Sequence, residues 1–149
     1  MTRSPNLRPT WVRLVREPDS AQPEPVHIRG PQDVQRFLHE RASQELVEVF
    51  YVLTLNAQSR VVSCQEVTRG ILNSSLVHPR EVFRLAIVEG AAGIVVVHNH
   101  PSGDPTPSGD DRAVTKQPVD AGRIIDIPVY DHVVIGGSRY VSFAEAGLL

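Results

Sequence analysis

Apolar residues change their spacing several times along the chain and predict alternating helices and strands. From Gly30 and Pro31 to about Leu46 they recur every three or four residues, which is the spacing of one helix face. Proline suits the first turn, because the amide donor that it lacks would have no partner there. The apolar stripe consists of Val34, Phe37, Leu38, Ala42 and Leu46. We expect the helix to turn this stripe toward the core.

Segments rich in β-branched residues follow the helix and predict strands. Residues 47–56 and 61–68 form a plausible hairpin, joined by a short polar turn. A loop then leads to Pro79, which suits the first turn of a second helix. The run from Gly93 to His98 is short, apolar and β-branched, and it predicts a buried strand.

The last third of the chain continues the alternation. Ser108 is a suitable N-cap for a helix, and a strand near 127–135, a turn, a short strand and a helical tail follow. Pro118 lacks an amide donor, so it should kink or end the helix that begins at Ser108. Strands and helices that interleave in this way predict a single α/β domain with a mixed β-sheet flanked by helices.

The first 30 residues differ from the rest. They contain five prolines and little periodicity apart from the segment from Trp11 to Val15. We expect an extended proline-rich arm over 1–30, with one short strand, and a folded domain over 31–149. The start lacks an apolar core of signal-peptide length, and no stretch approaches the roughly 20 apolar residues of a membrane span. We therefore expect a cytoplasmic protein without membrane contacts.

Composition and charge narrow the possible functions. The chain has 149 residues, of which 41% are hydrophobic and 21% charged, as is ordinary for one soluble domain. Its net charge of −2 argues against tight nonspecific binding to nucleic acid, which needs a basic surface. Cys64 is the only cysteine, so no intrachain disulfide can form, and its strand-like segment indicates a small core residue rather than a nucleophile.

The segment from His98 to Asp111 is the strongest indication of chemistry. His98 and His100 leave the same face of a strand, because strand side chains alternate, and Asn99 must point the other way. A loop rich in proline and glycine then reverses the chain and can return Asp111 to the histidines. Two imidazoles and a carboxylate are ordinary ligands of first-row metals, and three such ligands leave a fourth tetrahedral position for water.

Each of these features also has a purely structural interpretation. Ser108 and Asp111 fit a helix start, as N-cap and as an acidic residue in the first turn, and this role is compatible with metal binding. Two histidines separated by one residue are more often surface or hydrogen-bonded core residues. We interpret Asp131 and His132 as a structural or supporting pair rather than a second metal site.

The motif resembles the signature of JAB/MPN+ metalloproteases, the JAMM motif, at His98, His100, Pro101, Ser108 and Asp111. The stretch 98–108, with Asp111 and Thr115 after it, resembles the RadC-like branch more closely still. Further blocks of resemblance lie at 77–81, 131–136 and 142–149. The resemblance covers roughly residues 31–149.

This resemblance implies a fold, a metal and a reaction. The fold would be the JAB/MPN architecture, which is similar to that of cytidine deaminases, and the metal would be Zn²⁺. His98, His100 and Asp111 would be its ligands. In the family a glutamate on an early strand completes the site as the general acid and base, and Glu48 occupies the corresponding place, with Glu45 as the nearest competitor.

The implied enzyme is a zinc-dependent metallopeptidase or isopeptidase that acts on a peptide or protein substrate. Ser108 would steady the developing oxyanion, and Asn99 would brace the loop. The alternative is a non-catalytic or nucleic-acid-associated interaction module linked to DNA repair, and a third possibility is metal-dependent chemistry on nucleic acid. Relatives often carry an N-terminal helix-hairpin-helix module, but residues 1–30 are too short and too rich in proline to form one, so we expect the chain to resemble the short stand-alone form. The sequence leaves the oligomeric state open.

Overall fold

The computed structural model describes residues 24–149, in which a five-stranded sheet is covered by helices. The elements run in the order α1 (Pro31–Ser43), β1 (Val49–Leu55), β2 (Val61–Arg69), α2 (Pro79–Val82), α3 (Arg84–Glu89), β3 (Gly93–Asn99), α4 (Gly109–Ile125), β4 (Val129–Gly136) and β5 (Arg139–Ser142). The hairpin of β1 and β2 and the strand before the histidines form where the sequence predicts them.

The sheet is mixed, as expected. Its strand order is β2-β1-β3-β4-β5. β1 is antiparallel to both of its neighbours, whereas β3 and β4 are parallel, with α4 as the connection between them. β5 closes the other edge against β4. The structure confirms the predicted α/β class and places β1 and β3, whose ends carry the candidate site, in the middle of the sheet.

Apolar residues cover both faces of the sheet, so the central strands are buried throughout. All residues of β1 and β3 are buried. α1 packs on one face, through Val34, Leu38 and Ala42. The short helices α2 and α3 and the long α4 pack on the opposite face. Central strands covered on both sides are expected to be continuously apolar, and the sequences of β1 and β3 are.

The prediction for α1 was wrong at its end and at the edge of its stripe. The helix ends at Ser43, and Leu46 lies beyond it with 92% of its surface exposed. Phe37 is 36% exposed, because it lies about 100° around the helix from Leu38. The buried face of α1 is therefore narrower than the apolar pattern of the sequence predicts.

The structure tests two predictions for helices in the second half of the chain: that Pro118 kinks or ends α4, and that a helical tail follows β5. Pro118 does not end α4, which continues to Ile125. Val114 and Gly122, on either side of the proline, are buried, and this packing holds both halves of the helix in place at the cost of one backbone hydrogen bond. The residues after β5 form hydrogen-bonded turns rather than a helical tail.

Residues 24–30 run along the folded domain. The Ile28 amide donates to the Ser59 carbonyl, His27 bridges Arg60, and the Ile28 side chain joins the core. The strand expected near Trp11, with the arm as far as residue 23, lies outside the described residues. Within residues 24–149, no helix is both long enough and apolar enough to cross a membrane.

Candidate metal centre

β3 brings the two histidines together at its C-terminal end. His98 pairs with Phe50 of β1 and is fully buried. The His100 amide donates to the Ile135 carbonyl of β4, so the strand direction is kept one residue beyond β3. The Nε2 atoms of the two imidazoles lie 2.9 Å apart. The expected convergence of His98 and His100 is therefore present.

The loop after Pro101 returns Asp111 to the histidines. Asp111 Oδ1 lies 3.1 Å from His98 Nε2, and Oδ2 lies 3.1 Å from His100 Nε2. The same carboxylate accepts the Ser108 amide, while Ser108 Oγ accepts the Asp111 amide, which completes a capping box. The structural and the metal-binding interpretations of Asp111 are thus compatible in one geometry.

The hydrogen bonds of His100 leave its Nε2 available to a metal. His100 Nδ1 lies 2.7 Å from the Asp104 carbonyl, which can only accept, so Nδ1 carries the proton. A tetrahedral zinc with ligands at about 2.1 Å would hold them about 3.4 Å apart. The two Nε2 atoms are 2.9 Å apart, and each lies 3.1 Å from one oxygen of Asp111, which is close to that spacing. Two imidazoles and a carboxylate are also the donor types that zinc prefers, so the residues fit the ion.

Charge at this centre favours a cation. Burial acts to raise the pKa of Asp111, but the close approach of the His100 and His98 imidazoles to its carboxylate outweighs burial and holds that pKa well below its usual range. Asp111 is therefore ionised at neutral pH. The same contact with Asp111 raises the pKa of His100. A second proton on His100 would occupy Nε2, which is the atom that a metal ion would bind.

Glu48 lies on the exposed side of the centre. It directly precedes β1, and its Oε1 is 3.7 Å from His100 Nε2. Glu48, His98 and His100 each offer a ligand atom within 4.8 Å of the others. Glu45, the competing glutamate, instead pairs with Arg69, at 2.5 and 2.9 Å. The structure therefore brings Glu48 to the histidines and holds the Glu45 carboxylate on an arginine.

Asn99 points away from the histidines, as expected, but it braces β1 rather than the loop. Its Oδ1 accepts the Val49 amide at 2.7 Å, and its Nδ2 donates to the Val47 carbonyl at 3.0 Å. The expectation was wrong because the neighbour on this side of β3 is β1, whereas the loop begins beyond His100. The two hydrogen bonds hold the backbone on both sides of Glu48.

The loop is held instead by its contact with β4. A Cβ atom at Gly136 would lie 2.6 Å from the Pro105 nitrogen and 2.8 Å from the Gly103 carbonyl oxygen. Arg139 also donates to that carbonyl. Because the Asp104 carbonyl orients His100, the close approach at Gly136 contributes to the geometry of the centre.

Gly136→Ala is expected to weaken zinc binding about 10-fold, because the added methyl group displaces the loop and with it the carbonyl that orients His100. The measurement is a competition titration against a chromophoric chelator. Gly109→Ala is the matched control, since a Cβ there has open space around it. Equal zinc affinities of the two variants would contradict the assigned role of Gly136.

Ser108 is the N-cap of α4, beside Asp111. Ser108 is an exposed residue, and its hydroxyl accepts from the Asp111 amide and donates no hydrogen bond among residues 24–149. Its role toward an oxyanion remains a prediction.

Asp131 accepts from the amides of His132 and Ala144 and from the Ser142 hydroxyl, which is a structural role, as expected.

His132 is connected to the centre more directly than its sequence context indicates. Its Nε2 lies 2.7 Å from His98 Nδ1, and its Nδ1 contacts the Thr115 hydroxyl. Burial lowers the pKa of His132 well below its usual range. Thr115 belongs to the motif that resembles the RadC-like branch, but its sequence context predicts no role for it. Only the spacing of Asp111 and Thr115 by one helical turn could have suggested it.

A mixed five-stranded sheet with flanking helices and this cluster at the end of its central strands is consistent with the JAB/MPN class of α/β domains. The chain belongs to the RadC-like JAB family, whose model matches residues 28–148. It is 48% identical over 124 residues to the UPF0758 protein STH371 of Symbiobacterium thermophilum, with 83% of this chain and 53% of that protein covered.

Two further relatives give the same picture. The UPF0758 protein TTE0897 of Caldanaerobacter subterraneus is 46% identical over 128 residues, which cover 86% of this chain and 55% of the relative. The UPF0758 protein lmo1549 of Listeria monocytogenes is 45% identical over 124 residues, with 83% and 55% covered. The chain spans about half the length of these curated relatives. Their names state no activity.

Proposed function

We propose that this protein is a zinc-dependent hydrolase that cleaves a peptide or isopeptide bond. The observation that carries the proposal is a partly exposed glutamate, Glu48, next to two histidines whose Nε2 atoms converge with the buried carboxylate of Asp111. Membership of the JAB family, which includes metalloproteases, supports this reaction class.

The two carboxylates differ in position, and this difference assigns their roles. Asp111 is 3% exposed and touches both histidines, so it suits the third ligand beside His98 and His100. Glu48 is farther away and its side chain is 33% exposed, so it can meet both water and substrate. A carboxylate in that place can take a proton from the attacking water and deliver it to the leaving nitrogen.

A bound zinc ion would make water acidic enough to attack at neutral pH and would polarise the scissile carbonyl. His98, His100 and Asp111 would hold it. The hydroxyl of Ser108, an exposed residue at the start of α4, would donate to the carbonyl oxygen as negative charge develops there. The chain thus offers ligands, a proton carrier and an oxyanion donor at one end of the central strands of its sheet.

The surroundings of Glu48 suit a peptide or protein substrate. Leu46 is 92% exposed, two residues before Glu48. The Gly70 amide donates to the Glu48 carbonyl, which brings the adjacent Ile71, 80% exposed, to the same region. Exposed apolar side chains next to the general base favour contact with the side chains of a polypeptide.

The proposal is tested by metal analysis followed by a cleavage assay. Protein purified without added metal is analysed by inductively coupled plasma mass spectrometry and then incubated in ¹⁸O-water with a pool of peptides and isopeptide-linked peptides. We expect nearly one zinc per chain and products with one ¹⁸O in each new carboxylate. Chelation should stop cleavage, and added zinc should restore it.

Other outcomes of this experiment contradict specific parts of the proposal. A folded protein that binds no metal, alone or with added zinc, would reject the metal site and the hydrolase together. Preferential retention of another first-row metal would reject zinc. Metal-dependent cleavage of nucleic acid, with all peptides intact, would reject the substrate class.

A further inference from the structure

A buried series of hydrogen bonds connects His98 to the start of α4. His98 Nδ1 lies 2.7 Å from His132 Nε2, and His132 Nδ1 lies 2.5 Å from Thr115 Oγ1. Thr115 Oγ1 lies 2.7 Å from the backbone oxygen of Asp111. The side chains of His98, His132 and Thr115 are almost completely buried. The series therefore begins and ends at residues of the candidate centre, away from solvent.

The backbone oxygen at one end determines the direction of every hydrogen bond. A carbonyl only accepts, so Thr115 must donate its single hydroxyl proton to Asp111. Thr115 can then only accept from His132, whose Nδ1 must carry a proton. A second proton on His132 would create a buried cation between the rings of Phe50 and Phe143. His132 Nε2 is therefore an acceptor.

We propose that Thr115 and His132 are positioning residues that select the tautomer of His98. Because His132 Nε2 accepts, His98 Nδ1 must donate, and His98 Nε2 keeps the lone pair that a metal ligand needs. The other tautomer would place a proton on Nε2, facing Asp111, and would leave two buried nitrogens facing each other without a proton.

The two histidines thus receive the same tautomer by different means. The backbone carbonyl of Asp104 selects it for His100, near the surface. Two side chains from α4 and β4, Thr115 and His132, select it for His98, inside the core. This inference concerns the metal centre on which the proposed function rests, but it does not require that the protein be a hydrolase.

Thr115→Val tests the inference by removing the acceptor while keeping the shape of the side chain. We expect zinc affinity, measured by competition with a chromophoric chelator, to fall by about 10- to 100-fold. Thr115→Ser keeps the hydroxyl and should restore most of the affinity. Thr54→Val is the matched control, because Thr54 is also fully buried and hydrogen-bonded, but to Ser63 and Glu89.

The inference is overturned if Thr115→Val binds zinc as tightly as Thr54→Val, or if Thr115→Ser loses as much affinity as Thr115→Val. Long-range ¹H–¹⁵N correlation spectra of the zinc-loaded wild type provide a second measurement that needs no variant. We expect His132 to be protonated at Nδ1 and bare at Nε2. A proton found on His132 Nε2 would reject the proposed relay, in which Thr115 and His132 select the tautomer of His98.

These results separate the inference from the proposed function. Zinc binding that depends on Thr115, without any cleavage of peptides, would support the relay and reject the hydrolase. Cleavage with zinc affinity unchanged in Thr115→Val would support the hydrolase and reject the relay.

Discussion

Glu48→Gln is expected to lower kcat for bond cleavage by about 100- to 10,000-fold while zinc remains bound, because glutamine keeps the shape of glutamate but cannot carry the proton. Zinc should remain because Asp111 and the two histidines are in place without Glu48. The measurements are the cleavage rate and the zinc content of the same preparation.

Glu45→Gln is the matched control for this experiment. It makes the same chemical change three residues earlier, where the carboxylate is held by Arg69. We expect it to retain most of the activity, since surface ion pairs contribute little. If Glu45→Gln lost activity and Glu48→Gln kept it, the acid and base would be assigned to the wrong glutamate, although the metal centre would stand.

Asp111→Asn is expected to lower zinc affinity by at least about 100-fold, because even partners that touch only a ligand typically contribute about 10- to 100-fold. The amide oxygen of asparagine can still accept the Ser108 amide, so the capping box loses little. Asp111→Ala removes both roles and should lower the melting temperature as well. Zinc competition and thermal unfolding of the metal-free proteins separate the two effects.

Asp110→Asn provides the control for charge. Asp110 lies in the same first turn of α4, is exposed, and loses the same unit of charge on substitution. Zinc affinity should stay within about twofold of wild type, since salt screens exposed charges. Comparable losses of zinc affinity in Asp110→Asn and Asp111→Asn would mean that only the negative charge near the start of α4 matters. Asp111 would then not be a ligand.

The convergence of the three candidate ligands could be predicted from sequence because they are local. His98, His100 and Asp111 lie in one segment, and strand alternation together with a proline-rich turn is enough to bring them close. Glu48 could be named only by family resemblance, since nothing near residue 48 shows that β1 lies next to β3. The contact of His132 with His98 likewise depends on the pairing of β3 with β4.

The errors in the helices have a common physical origin. Apolar spacing indicates which side chains can face a core, but the partners decide how wide the buried line is, and Phe37 falls outside it. In the same way, the local cost of Pro118 is real, but burial along α4 outweighs it. Local patterns predicted the order of the elements, and tertiary contacts set their ends.

The hydrogen bonds of Asn99 have a consequence for thermal motion. Asn99 lies between the two histidines in the chain, and its side chain forms hydrogen bonds with the backbone on both sides of Glu48. These hydrogen bonds tie the backbone around Glu48 to β3, so a displacement of β3 is expected to move Glu48 together with the two imidazoles. Loss of pairing at the outer strand β2 would leave both hydrogen bonds in place, because neither involves a residue of β2.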